Sequence, residues 1–281
     1  MASNRGSKFL QWALPQMEYR WAGFRKPRRQ VLRRIQSRMQ ELGLTGGYEE
    51  YKSYLKNNPV EWEYLDKLCD ITISKFFRDR RVWDYLRDEI LYSLLCDGSL
   101  RPDSGRTGPE QSLNIWSAGC CNGEEPYSIA IILNQLPEEL TRTDNVAILA
   151  TDRNSDVLER AKSGCYPAGA LKELTDQERK EFFRPANDQS DRYLIRDDLK
   201  NQIEFEQRDI KNAQPDRLFD LIFCRNLVFT YFTRKKQLGF LEHLQPRLRT
   251  GGYLVTGANE KLPKISWLKK TDTTHPIWKR Y

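Results

Sequence analysis

Apolar positions in the first third of the chain recur at helical spacing. Between Arg28 and Leu42, Val31, Ile35, Met39 and Leu42 fall at i, i+4, i+8 and i+11, one apolar stripe with arginines opposite. Gly43 and the Gly46-Gly47 pair stop this helix. A second short helix is expected over Tyr48 to Leu55, and Pro59 opens a third through Trp62, Leu65 and Leu68. A fourth, around Asp79 to Leu95, carries Val82, Tyr85, Leu86, Ile90 and Leu94. Residues 9–95 therefore predict a small helical domain.

Residues 96–112 are rich in Gly, Ser and Pro and read as a linker. Beyond it, from 113 to 281, the pattern alternates strand and helix. Strand Leu113 to Ser117 feeds a helix over 124–135, and strand Val146 to Thr151 ends at Asp152 and feeds helix Ser155 to Ser163. Strand Phe219 to Cys224 precedes a helix over Thr233 to Arg247, after which Thr250-Gly-Gly252 turns into strand Tyr253 to Gly257. Such alternation predicts an α/β fold, a parallel sheet with helices on both faces. One region, about 174–208, breaks it. A charged helix at Asp176 to Phe183 is followed by two period-two runs, Asp191 to Arg196 and Gln202 to Glu206. They read as half-exposed antiparallel strands of a small inserted β subdomain.

Composition narrows the function classes. Hydrophobic residues make up 39% and charged residues 30% of the 281, a globular balance. No apolar run approaches ~18 residues, so no membrane span is expected, and the N-terminus lacks the apolar core of a secretory signal. Six cysteines without C-x-x-C pairing and two isolated histidines, His243 and His275, suggest neither a disulfide framework nor a metal centre. A cytoplasmic location is expected. The net charge of +7 is concentrated between Arg20 and Arg38, where eight basic residues stand without an acid. Arg28, Arg29, Arg33 and Arg34 are candidates for docking an acidic partner, and the alternative is a solvated helix face. Little aromatic interleaving argues against nucleic acid.

The chemistry converges on Asn114-Ile-Trp-Ser-Ala-Gly-Cys-Cys-Asn-Gly-Glu-Glu-Pro126, a buried strand, a turn carrying Gly119 and Gly123, and a helix start. Glycines there let the backbone approach a ligand, and Glu124 and Glu125 lie at the positive end of the helix dipole. The spacing is not the dinucleotide G-x-G-x-x-G pattern. Asp152, closing the second strand, is placed either to accept hydrogen bonds from a ribose or to cap the helix at Ser155. Gly119, Gly123 and Asp152 together point to a nucleoside cofactor.

Read through to Ala130, the same segment resembles the cofactor-binding signature of chemotaxis-receptor glutamate O-methyltransferases of the CheR type. Phe76-Phe-Arg-Asp79 resembles that family's FFR motif, Ala150-Thr-Asp152 its ATD motif, and Phe219-Asp-Leu-Ile-Phe-Cys-Arg-Asn226 its FD-x-IFCRN strand. The similarity runs from about Arg25 to the C-terminus. It implies a Rossmann-like class I methyltransferase domain using S-adenosyl-L-methionine and releasing S-adenosyl-L-homocysteine. By motif matching, Thr72, Ser74 and Arg78 would close over the cofactor. Ala118 and Glu124 would meet its methionine part and Asp152 its ribose. Asp209 and Ile210 would flank the adenine, with Asn226 and Leu227 at the strand end. Arg78 and Tyr231 would orient the substrate. Without the resemblance, Arg78 could equally be half of a surface ion pair with Asp79 or Glu89. Three positions depart from the family pattern. Thr72 replaces the usual Asn, Gly257-Ala-Asn-Glu260 replaces G-H-S-E, and one extra residue precedes Tyr231, which predicts a bulge in its loop.

The resemblance thus predicts methyl transfer to a glutamate carboxylate of an acidic protein, a chemoreceptor or another signalling protein. A carboxylate is ionised at neutral pH and needs no general base, which fits motifs without histidine. The alternatives are the same fold acting on a small molecule or another protein, and a non-catalytic module that senses the cofactor or its product.

Overall fold

The computed structural model describes residues 2–96, 112–137, 146–187 and 191–281. The linker expected at 96–112 falls almost wholly outside them. The chain forms two compact units, one from Met1–Ile71 with Leu227–Gly239, the other from Thr72–Asn226 with Phe240–Tyr281.

The first unit holds α1 (Ala2–Gln16), α2 (Trp21–Phe24), α3 (Arg28–Glu41), α4 (Tyr48–Asn57) and α5 (Pro59–Leu68). The stripe read from sequence is the buried one, since Val31, Ile35 and Met39 face inward. Phe9 of α1 stacks on Tyr48 and Tyr51 of α4 at 5.3 and 5.6 Å between centroids. The segment Val228–Tyr231 is a single helical turn. The extra residue before Tyr231 is therefore absorbed as helix rather than as the expected bulge. The amides of Thr230 and Tyr231 both donate to the Leu227 carbonyl, at 3.2 and 2.9 Å. Arg20 satisfies the orphan carbonyls at the end of this turn, donating to Thr230 O at 2.8 Å and to Phe229 O.

In the second unit the fourth expected helix is three pieces. These are α6 (Arg80–Tyr85), a π-helical turn at Leu86–Leu91, and α7 (Tyr92–Cys96). There follow β1 (Leu113–Ala118), α8 (Glu124–Asn134), β2 (Val146–Asp152), α9 (Ser155–Ser163) and β3 (Cys165–Pro167). Next come α10 (Asp176–Phe182), β4 (Phe183–Pro185), β5 (Arg192–Ile195), α11 (Asp197–Asn201) and β6 (Ile203–Gln207). The remaining strands are β7 (Phe219–Cys224), β8 (Leu248–Thr256), β9 (Leu268–Lys270) and β10 (Ile277–Arg280), with helix Arg234–Leu244 preceding β8.

Seven strands form one sheet in the order β6-β2-β1-β7-β8-β10-β9. Counted along the chain within that sheet, the order is 3-2-1-4-5-7-6. β6, β2, β1, β7 and β8 run parallel, while β10 runs antiparallel to both β8 and β9. The sheet is thus mixed rather than wholly parallel. β9 and β10 are three and four residues long, too short for an apolar pattern to announce them. β8 starts before the expected turn and runs through Gly251 at φ 83°, with a register shift against β7.

The inserted small sheet has the order β3-β5-β4, all antiparallel. The run at 202–206 is not part of it. β6 instead pairs parallel with β2, Ile203 to Gln207 against Ile148 to Asp152. Its alternation arises because an edge strand exposes one face, which period two alone cannot distinguish from a hairpin strand. Strands β1 and β7 are buried on both faces, and Trp116 stacks on Phe219 at 5.5 Å.

Candidate functional site

The strand order reverses beside β1, with β2 and then β6 on one side and β7 on the other. Ligands of open α/β sheets lie in the crevice at such a switch, outside the carboxyl ends of the strands. Ala118, Gly119, Asp152, Asp209, Ile210 and Asn226 all lie at or just beyond those ends. The β1–α8 turn is built from left-handed backbone, with φ 78° at Gly119, 54° at Cys121 and 91° at Gly123. Amides of Gly119 and Cys120 donate to Thr151 O at 2.8 and 2.9 Å, which seats the turn on the end of β2. At Gly123 a Cβ would come within 2.9 Å of both Ala161 Cβ and the Tyr166 hydroxyl, so only glycine fits. Tyr166 itself donates to Asn122 O at 2.7 Å and ties the small sheet to this turn.

Three carboxylates stand at the start of α8 and the end of β2, and burial pushes each pKa up. Glu124 is 4% exposed, and its Oε2 has no hydrogen-bond partner. Desolvation dominates its upward shift, with Ser74 and Asn122 beside it to offset part of the cost. Glu125, one residue on and so about 100° around the helix, points elsewhere. Its Oε1 accepts from Ser117 Oγ at 2.8 Å and its Oε2 lies 3.6 Å from Arg225. Burial raises its pKa, with the charge of Arg225 opposing. Asp152 is also raised by burial, against backbone hydrogen bonds from Asn154 and Cys121 at 3.0 Å each. The cap of α9 is Asn154, whose side chain accepts from Asp156 and Val157 amides. Asp152 is not the cap, and each of its oxygens accepts one of the Asn154 and Cys121 amides.

Asp209 is half-buried and accepts from the Lys211 amide at 2.9 Å, with half-buried Ile210 beside it. Asn226 stands at φ 56° just past β7, with its buried Oδ1 unpartnered. Thr72 and Ser74 lie half-buried in the irregular segment before the Phe76-Phe77 turn. Both phenylalanines are fully buried, and the Phe77 amide donates to Ser128 Oγ of α8 at 3.0 Å. Arg78 follows, half-buried, with Nη1 3.5 Å from Ile73 O. Asp79 pairs with Arg225 rather than Arg78.

Leu227 and Tyr231 belong to the first unit. The Tyr231 ring meets Phe24 edge-on at 5.0 Å. In the basic cluster, Arg29 and Arg33 are exposed. Arg28 donates to Arg25 O, and Arg34 to Leu68 O at 3.3 Å and to Asp70 O, so these two serve the unit's own carbonyls.

Two residues of the site escaped the sequence reading. Glu260 accepts from the amides of Asn226 at 2.9 Å and Gly257 at 2.6 Å, pinning the ends of β7 and β8 together. Arg225 is 8% exposed and bonds Arg78 O, Asp79 and, more distantly, Glu125. A signal existed for it. An arginine directly after six buried strand residues has to find buried anions.

The family model described as CheR methyltransferase, SAM binding domain, matches residues 72–277. The chain belongs to this family. Curated relatives are the chemotaxis protein methyltransferases of Listeria innocua serovar 6a, 33% identical over 215 residues (76% of this chain, 75% of that one), and Listeria monocytogenes serovar 1/2a, 34% identical over 215 residues with the same coverage. That of Escherichia coli K12 is 31% identical over 240 residues, 84% of this chain and 77% of that one. Among solved structures, the plantazolicin methyltransferase BpumL in complex with SAH has a TM-score of 0.32 at 15% identity, covering 64% of this chain and 53% of that one.

The residues present fit S-adenosylmethionine, the cofactor of this family. The unpartnered Glu124 Oε2 is a buried anionic acceptor suited to an ammonium. Asp152 retains acceptor capacity for ribose hydroxyls, and the orphaned Asn226 Oδ1 suits an amino group of the adenine. The protein is an S-adenosylmethionine-dependent methyltransferase of the CheR type. Among the described residues no cluster could hold a metal ion, and no helix is long and apolar enough to cross a membrane.

Proposed function

We propose that this cytoplasmic enzyme transfers a methyl group to a glutamate side-chain carboxylate of an acidic, chemoreceptor-like protein. The observation that carries this reading is the run of relatives named chemotaxis protein methyltransferase, matched over three quarters of both chains at about one third identity. The chemistry agrees. S-adenosylmethionine supplies, when bound, an electrophilic sulfonium methyl. A carboxylate needs orientation rather than deprotonation to attack it. Neither of the chain's two histidines is among the site residues, and His275 is engaged by Asp272 at 2.8 Å. Arg78 supplies a two-toothed donor for a carboxylate in this reading. Thr72, Ser74 and Arg78 complete the cofactor pocket in this reading.

The helical segment serves as the docking domain, with the exposed Arg29 and Arg33 of α3 meeting acidic residues of the substrate protein. Reversing both to Glu is expected to slow association and flatten its salt dependence, while cofactor affinity stays unchanged. Wild-type methylation rates at every salt concentration would make α3 a solvated face. The reaction is tested by incubating the protein with methyl-labelled S-adenosylmethionine and a chemoreceptor-bearing membrane fraction from the source cell. A protein methyl ester releases its label as volatile methanol in mild base. A base-stable label would overturn the carboxylate reading and favour an amine or phenol acceptor.

A further inference from the structure

Arg225 is a buried cation of the second unit that stands within the FD-x-IFCRN match, yet neither the site residues carried over by motif matching nor the proposed reaction gives it a role. Its guanidinium donates from Nη2 to Arg78 O at 2.6 Å and to Asp79 Oδ2 at 2.9 Å, and Nη1 lies 3.6 Å from Glu125 Oε2. It rests over the Trp83 ring, 5.3 Å from the centroid, and Trp83 Nε1 donates to the same Arg78 carbonyl at 2.9 Å. Two donors thus occupy both lone pairs of one carbonyl oxygen.

The backbone held in this way is strained. Phe77 stands at φ 46° and Asp79 at φ 63°, left-handed conformations that aspartate tolerates and that are strained for a bulky residue such as Phe77. Such a turn persists only where its surroundings over-determine it. Below, Phe77 is buried and its amide is tied to Ser128. Beside it, Arg80 grips Glu178 with both terminal nitrogens at 2.9 and 2.7 Å. Above, Arg225 and Trp83 hold the carbonyl from which the Arg78 side chain departs. Through Glu125, which also binds Ser117 at the end of β1, Arg225 joins this turn to the first turn of α8 and the end of β7.

We propose that Arg225 is a positioning residue: it fixes the main chain of Arg78 so that the Arg78 side chain is presented to the cofactor. The proposal rests on the role given to Arg78 above. A fork is suited to this place, since Nη2 serves the carbonyl and Asp79 while Nη1 faces Glu125, and the single nitrogen of a lysine cannot face both sides at once.

The test is calorimetric affinity for S-adenosylhomocysteine, which needs no methyl acceptor, in wild type, Arg78→Ala, Arg225→Gln and the double variant. Arg78→Ala is expected to bind about 10- to 100-fold more weakly, the range for losing hydrogen bonds from a charged group. Arg225→Gln should lose roughly fivefold or more, and the double variant should fall within about twofold of Arg78→Ala, as for residues acting as one unit. A double variant weakened by the product of the single effects overturns the proposal. So does undiminished affinity in Arg225→Gln when Arg78→Ala is weakened. Undiminished affinity in Arg78→Ala removes the Arg78 reading and this proposal with it. Arg225→Lys is expected to recover the unfolding midpoint but not the affinity, and recovery of both would reduce Arg225 to a buried counter-charge. Should no Arg225 variant fold, Trp83→Phe decides. It removes one donor to the Arg78 carbonyl and keeps the ring, so a fewfold weaker affinity supports the clamp and an unchanged one overturns it.

Discussion

Glu61 in the helical unit and Glu124 in the sheet unit are equally buried, each 4% exposed, and are treated in opposite ways. Glu61 is saturated. It accepts from Arg38 Nε at 3.1 Å, Arg38 Nη2 at 2.9 Å and the Tyr51 hydroxyl at 2.8 Å. Glu124 has an oxygen with no partner, and its pKa is raised because burial outweighs the help of Ser74 and Asn122. A buried carboxylate completed by its own fold holds helices together. One left incomplete is held ready for something that arrives later.

The contrast is broken or sharpened by substitution. The largest effect is expected at Glu61. Glu61→Leu removes the acceptor of the Tyr51 hydroxyl and leaves Arg38 only the exposed Glu41, and should cost about 2–3 kcal/mol in denaturant unfolding, less than a fully buried pair because Arg38 is 23% exposed and keeps that partner. Affinity for S-adenosylhomocysteine should not change. Glu124→Gln should do the reverse. It is expected to cost about 2 kcal/mol, roughly 30-fold, in S-adenosylhomocysteine affinity by calorimetry, while the ligand-free protein is as stable or more so. Lower ligand-free stability with full affinity would invert the comparison.

Asp152 lies between these extremes, because both of its oxygens already accept a backbone amide. Asp152→Ala is therefore expected to weaken binding by ~1.5 kcal/mol and to lower stability as well. Intact affinity would remove Asp152 from the pocket. The smallest effect is a pH dependence. Burial raises the pKa of Glu124 and Asp152 in the free protein, so each takes up a proton above the ordinary carboxylate range. Affinity should be full at neutral pH and fall on acidification before an exposed carboxylate would titrate. The fall should be shallower in Glu124→Gln, and an identical profile in that variant would dissociate Glu124 from the ammonium.

Much of this was legible because the rules involved are local. The stripe Val31, Ile35, Met39 faces the core of the helical unit, and the helix Ser155–Ser163 and strand Phe219–Cys224 begin and end where sequence placed them. Gly123 was readable as a site of close approach, since its neighbours leave no room for a Cβ. Less was readable where a partner comes from far along the chain. Asp79 and Glu89 were the natural ion-pair candidates for Arg78, yet Asp79 pairs with Arg225, 146 residues away. The adjacent Glu124 and Glu125 looked alike as dipole partners, and only the packed helix shows one closed by Ser117 and Arg225 and the other open.

The sequence by itself determined the periodicities, the breaks and the turn residues, and with them the class of fold and the strand ends that form the crevice. Those are properties of a few consecutive residues, fixed by backbone sterics and by which side chains avoid water. Tertiary structure alone decided that Ile203–Gln207 joins the main sheet beside β2, that the short β9 and β10 close its far edge, and that one arginine holds the turn bearing another. An edge strand and a hairpin strand carry the same alternation, and a buried charge specifies that it has a partner without specifying which. Only the packed chain resolves both, because it sets which distant groups share a low-dielectric interior.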